Sequence, residues 1–104
     1  MSERLSVAFT RRASKQVEEA GQWWRENRDK APEALRQELD QALQLIASQP
    51  DVGAIARNIN LAGVRRILLS RVRYHLYYRV VVAPARSIQV VGLWHASRGE
   101  KAHL

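Results

Sequence analysis

The sequence predicts an α+β fold of order β-α-α-β-β-β, in which an N-terminal helical hairpin packs on a small, mainly antiparallel sheet. Three observations predict it. The chain opens on a short apolar alternation of period two. Two stretches with apolar residues at helical spacing follow, separated by a proline-bearing break. Three further strand-like runs come last, joined by connections short enough for successive hairpins.

The first strand is read from "RLSVAF", where Leu5, Val7 and Phe9 alternate with Arg4, Ser6 and Ala8. Thr10 then has the character of an N-cap, its hydroxyl placed to accept a backbone N–H of the next turn. Ala13, Val17, Ala20 and Trp24 recur at helical spacing through "TRRASKQVEEAGQWWREN" and give a first amphipathic helix. "RDKAP" interrupts it, and Pro32 stands near the start of a second helix, where its missing N–H costs nothing. Leu35, Leu39, Ala42, Leu43 and Ile46 form that helix's apolar stripe, which ends at Pro50 and Gly53. With so short a connection, the two helices are expected to pack as an antiparallel hairpin.

Residues 51–62 show no clean period and read as loop. Strands are expected at about 64–70, 74–82 and 87–95, with "SRVR" and "APARS" as the turns between them. A length of 104 residues is that of one domain with one core, and 46% apolar residues is an ordinary globular share. The expected domain is therefore the whole of 1–104. The chain has no cysteine, which excludes disulfides and thiolate chemistry. It shows no signal-peptide pattern and no apolar run near the roughly 18 residues of a membrane span, so a cytoplasmic protein without a membrane partner is expected.

The net charge of +7 is unevenly spread. Met1 to Asp51 carries eight Lys or Arg against nine Asp or Glu, whereas Val52 to Leu104 carries nine against Glu100 alone. Self-repulsion on that scale opposes compaction, which points to an acidic partner, either a nucleic acid or an acidic protein segment. A merely solubilising basic surface is the simpler alternative.

The charge enters the strands themselves, in "GVRRILLSRVRYHLYYRV". Tyr74, Leu76, Tyr78, Val80 and Val82 share one face and are expected beneath the helices, while His75, Tyr77, Arg79 and Val81 share the other and are expected to look outward. Periodicity leaves open which of Arg65 and Arg66 shares the face of Arg79. "LWHASRGEK" adds Trp94, His95 and Arg98 at the end of the last strand. Arginines beside Tyr and His would suit a phosphodiester, the guanidinium neutralising charge and the imidazole or phenol moving a proton. They would equally suit a phosphate-binding and stacking platform with no reaction. Taken singly, His75 and His95 read most simply as strand residues satisfied by a neighbour. Trp23 and Trp24 cannot face the same way on one helix. Trp24 continues the apolar stripe, which leaves Trp23 for the flank of the helix pair or a partner. His75, His95 and His103 lack metal-ligand spacing, and no phosphate-cradling glycine loop or nucleophile motif is present, so neither metal nor cofactor is expected.

Four segments in order, "VAFTRRASKQVEEAGQWW", "IASQPDVG", "GVRRILLSRVRYHLYYRV" and "IQVVGLWHASRG", resemble the RelE/ParE superfamily of type II toxin–antitoxin toxins over nearly the whole chain. The resemblance implies the β-α-α-β-β-β order, a toxin that arrests growth, and neutralisation by a cognate antitoxin. RelE-like members cleave messenger RNA on the ribosome with basic and aromatic residues. Carried over, the arginine after the strand tyrosine falls on His75, the arginine after the last strand on Arg98, and the C-terminal catalytic tyrosine at about Leu104, so one position of three matches. Some ribonuclease relatives use a terminal histidine, for which His95 or His103 would stand. ParE-like members instead bind DNA gyrase, and the "WW", "GVRR" and "WHASRG" segments and the short C-terminus look closer to this branch. The expected reading is a non-enzymatic gyrase inhibitor with Arg65, Arg66, Tyr77, Arg79, Trp94 and Arg98 at a target or antitoxin surface. The alternatives are a ribosome-dependent messenger ribonuclease using His75, His95 and Arg98, and a plain basic nucleic-acid-binding module.

Overall fold

In a computed structural model the described residues are 4–28, 31–57, 59–97 and 104. The elements run β1 (Val7–Phe9), α1 (Arg11–Asn27), α2 (Ala34–Ser48), β2 (Ala54–Ile55), β3 (Arg65–Leu69), β4 (Tyr74–Val81) and β5 (Ser87–His95). The α+β architecture expected from the sequence is the one observed, with one addition. The segment read as loop contributes β2, two residues that pair antiparallel with β3 through Ala54 with Arg66 and Ile55 with Arg65. A strand that short shows no alternation to read. It makes the sheet five-stranded, in the order β1-β5-β4-β3-β2.

Each helix starts and stops for local reasons. Thr10 caps α1, its hydroxyl accepting the Ala13 N–H at 3.1 Å. At the other end the indole N–H of Trp24 donates to the Ala31 carbonyl at 2.6 Å and ties the helix to the connection that follows. The α1 stripe buries Ala13, Ala20 and Trp24, and the α2 stripe buries Leu35, Leu39, Ala42 and Ile46. Both helices pack on the same face of the sheet against Leu76, Tyr78, Ile88 and Val90. Ile46, Leu76 and Ile88 are fully buried, and burial of each contributes roughly 1.5–3 kcal/mol. From α2, the Glu38 carboxylate accepts the N–H groups of Arg71 and Val72 at 3.0 and 3.2 Å, which holds the β3–β4 turn under the helix. In that turn Arg73 takes a left-handed φ of 64°.

The sheet is antiparallel except at one edge, where β1 runs parallel to β5 with Val7 opposite Ile88. Between β4 and β5 the register shifts: Tyr77 pairs with Gly92, but Tyr78 pairs with Val90, so Val91 is an extra residue on β5. This bulge reverses the facing of everything after it. Ile88, Val90 and Leu93 lie in the core beneath the helices, whereas Val91 and Trp94 lie on the outer side. Past the end of β1 the Leu93 N–H is accepted at 2.9 Å by the side-chain oxygen of Gln16, reaching from α1.

The outer face is not open. Val64, Tyr77, Val91 and Trp94 form a second, smaller core, with Ala56, Ile59 and Leu61 of the β2–β3 connection and Leu104 packed against it. The Ala56 N–H donates to the Val64 carbonyl at 2.8 Å and closes the connection over the sheet, and Gly63 supplies a positive φ of 74° within it.

Candidate functional site

The second core corrects the expected outward row. Tyr77 and Trp94, 5% and 7% exposed, are packing residues of the outer face and not a presented aromatic surface. The reason is tertiary: residues distant in sequence fold across them. A cationic rim remains around this minor core.

Strand register decides which arginine belongs to that rim. Arg66 is opposite Tyr77, so it shares the outer face with Arg79, while Arg65 is opposite Tyr78 on the helix side. Arg65 is committed internally: it donates to the Gly53 carbonyl at 2.8 Å and lies 3.8 Å from the Asp51 carboxylate, anchoring the chain that leaves α2. Arg79 is half-buried and donates through Nε to the Gln89 side chain at 2.8 Å, which fixes its stem against β5. Arg66 is exposed. The surface thus carries an oriented guanidinium at Arg79 and an exposed one at Arg66, the geometry for meeting carboxylates or phosphates.

His75 lies on this outer face, its ring 6.1 Å from that of Tyr77. Burial, and then the positive charges of Arg66 and Arg73, hold its pKa below the ordinary 6.5. It is thereby kept neutral near pH 7. His95 lies on the other side of the sheet. It is opposite Tyr74, and the two rings meet edge to face at 4.9 Å. Its Nδ1 accepts the Ser97 N–H at 3.2 Å and lies 2.6 Å from the Ser97 hydroxyl. His75 and His95 occupy adjacent rows of one strand pair and therefore opposite faces. Arg98 and His103 lie outside the described residues.

Of the expected binding residues, the structure brings Arg66 and Arg79 to the rim of one face, buries Tyr77 and Trp94 beneath it, and turns Arg65 inward. Sequence reasoning missed a second cationic region. Arg11, Arg12 and Lys15 of α1 line an open cleft of about 1100 Å3 with Arg28, Trp23 and His95. The signal was present in "TRRASK", but the near-neutral charge of the first half concealed it. Among the described residues no helix is long and apolar enough to cross a membrane.

The comparisons with known proteins agree with this architecture. Residues 7–99 match the family described as ParE toxin of type II toxin-antitoxin system, parDE. No curated protein matches the chain. Among solved structures, a chain of the chromosomal ParDE toxin–antitoxin system from P. aeruginosa superposes with a TM-score of 0.69 at 21% identity, over 90% of this chain and 98% of that one. The YoeB dimer from Staphylococcus aureus gives 0.57 at 16% identity, covering 89% and 98%. The isolated E. coli RelE toxin gives 0.52 at 22% identity, covering 92% and 88%. The structural likenesses establish a shared fold, and the sequence match over nearly the entire chain establishes membership: the chain belongs to the ParE family of type II toxin–antitoxin toxins, within the RelE/ParE superfamily.

Proposed function

We propose that this toxin, whose type implies a cognate antitoxin, arrests growth by binding DNA gyrase and not by cutting messenger RNA. The observation that carries this reading is the placement of the two histidines. General acid–base cleavage needs its proton-transferring groups within hydrogen-bond reach of one substrate. His75 and His95 stand on opposite faces of the sheet. His75 is moreover held neutral by burial beside Arg66 and Arg73, and His95 is tied to Ser97 and packed edge to face against Tyr74. This supports a binding surface in place of an assembled ribonuclease centre.

The proposed contact residues are Arg66 and Arg79 on the outer rim, with Arg98 as a further candidate. An acidic antitoxin segment would pair with these guanidinium groups while adding backbone hydrogen bonds at a sheet edge, β1 or β2. Ile55 on the β2 edge is 53% exposed and offers such a segment an apolar contact.

The test is a pair of cell-free assays on the purified chain. One follows supercoiling of relaxed plasmid by gyrase with ATP; the other follows messenger cleavage in a reconstituted translating system. Loss of supercoiling with intact messenger is expected. Ribosome-dependent cleavage with unaffected gyrase would overturn the proposal.

A further inference from the structure

The cleft between α1 and the C-terminal end of β5 is separate from the outer rim and has a different chemistry. Arg11, Arg12, Lys15 and Arg28 line it, against the single carboxylate of Glu19. Among the described residues, ion pairs join Arg36 to Asp40 and Arg65 to Asp51, and none involves the four cations of the cleft, of which Arg28 donates to the Asn27 carbonyl and lies over the Trp23 and Trp24 rings. Unpaired charge of one sign gathered in a concavity focuses potential on an incoming anion.

Two features of α1 sharpen this. First, its opening turn contains no acidic residue and begins with Arg11 and Arg12. The backbone N–H groups at a helix start already carry partial positive charge, so cations there oppose the helix dipole, and an anion in the cleft would relieve both. Second, Trp23 on the same helix is 44% exposed, whereas its neighbour Trp24 is buried. The Arg28 guanidinium lies over the Trp23 ring, 5.4 Å from its centroid, so a cation covers part of one face of the indole and a base would stack on the part left exposed. From Arg11 to Trp23 is about 18 Å along the helix at 1.5 Å per residue, the reach of a few nucleotides.

We infer that this cleft holds a single strand of nucleic acid, its phosphates against Arg11, Arg12 and Lys15 and a base stacked on Trp23. An acidic peptide fits less well. A peptide takes its register from apolar anchors; Ala20, Leu93 and Trp94 line the cleft but are buried, and the exposed large apolar side chains other than Trp23, namely Val52, Ile55, Leu68 and Val82, are not in it. A base needs only a flat ring and a phosphate only a cation, and both are supplied. The inferred contacts are to phosphate and base and not to the sugar, so DNA and RNA strands are expected to bind within a few-fold of each other. The inference does not depend on gyrase being the target.

The experiment uses the purified full chain and a short fluorescein-labelled oligothymidylate, read by anisotropy at two salt concentrations, with the matching oligouridylate and polyglutamate as further probes. The expected result is binding that weakens steeply with salt and falls about tenfold or more in the double variant Arg12→Glu, Lys15→Glu. Trp23→Ala loses several-fold in affinity and abolishes the quenching of indole fluorescence by the strand. Arg86→Ala, in the β4–β5 turn, stays within about twofold of wild type and controls for the loss of one positive charge outside the cleft. Circular dichroism confirms folding, and Arg12→Gln with Lys15→Gln replaces the charge reversal if that variant unfolds. Polyglutamate binding as tightly as oligothymidylate, or equal losses from Arg86→Ala and the cleft variants, overturns the inference, as does the absence of strand binding. Gyrase inhibition is measured separately, so either reading fails without the other.

Discussion

The phenolic oxygen of Tyr78 lies 2.8 Å from the Pro50 carbonyl, to which it donates, although 28 residues separate the two in the chain. The same oxygen accepts the buried Gly53 N–H at 2.9 Å. One fully buried side chain of the central strand β4 thereby fixes the path of the chain out of α2 and into β2. Gly53 is required at that approach, since a Cβ there would stand 2.7 Å from the Tyr78 oxygen and 2.9 Å from the Arg66 carbonyl.

Tyr78→Phe keeps the ring and removes both hydrogen bonds, leaving the Gly53 N–H buried without its acceptor. The expected loss is about 1–3 kcal/mol, read as a lower midpoint in urea unfolding. Burial pushes the phenol above its ordinary pKa of 10.0, against the opposing influence of the Gly53 N–H and Arg65. The unfolded chain therefore ionises first on the alkaline side, and wild type loses stability as pH rises past about 10. Tyr78→Phe lacks this contribution. An unchanged urea midpoint would show that the segment is anchored by Arg65 alone.

His75 gives an acid-side dependence. Its folded pKa is depressed by burial, Arg66 and Arg73, so below the ordinary 6.5 the unfolded chain binds a proton that the folded chain does not. Stability contributed by neutral His75 is present above that value and lost as pH falls through the folded pKa. His75→Gln is expected to flatten this part of the stability profile. In an NMR titration Arg66→Ala should move the imidazole pKa back upward, and an unmoved pKa would refute the assigned proximity of the two side chains.

Gln16→Ala removes the acceptor of the Leu93 N–H at the bulge. Hydrogen exchange at Leu93 should accelerate, with a stability loss of about 1 kcal/mol. Protection equal to wild type would mean that β5 holds its course past the end of β1 without α1.

Arg79→Glu reverses the half-buried charge that Gln89 orients on the outer face. Affinity for the cognate antitoxin, measured by titration calorimetry, is expected to fall about tenfold or more. Gln89→Leu keeps the charge and frees the guanidinium, so its effect should be smaller. Undiminished binding by Arg79→Glu would put the antitoxin on another surface.

The division between sequence and structure is visible at individual residues. Period-two and helical spacings located both helices and the three long strands within a residue or so, and Thr10 was legible as a cap, because these patterns depend on neighbours along the chain. The strand β2 was not legible, since two residues show no period and owe their conformation to β3. Parity alone placed Tyr74, Leu76, Tyr78, Val80 and Val82 on one face; the first four do pack on the core beneath the helices, whereas Val82 lies past the end of β4 and is 75% exposed.

What parity could not decide was whether the opposite face met water. Tyr77 and Trp94 are covered by the β2–β3 connection and Leu104, contacts made only after the chain has folded back on itself. The side of Arg66, the inward commitment of Arg65, and the separation of His75 from His95 likewise follow from strand pairing. Sequence by itself determined the elements, the family resemblance and the positive charge, all properties of local order or composition. Tertiary structure decided which charges remain available to a partner, because availability depends on what distant segments bury.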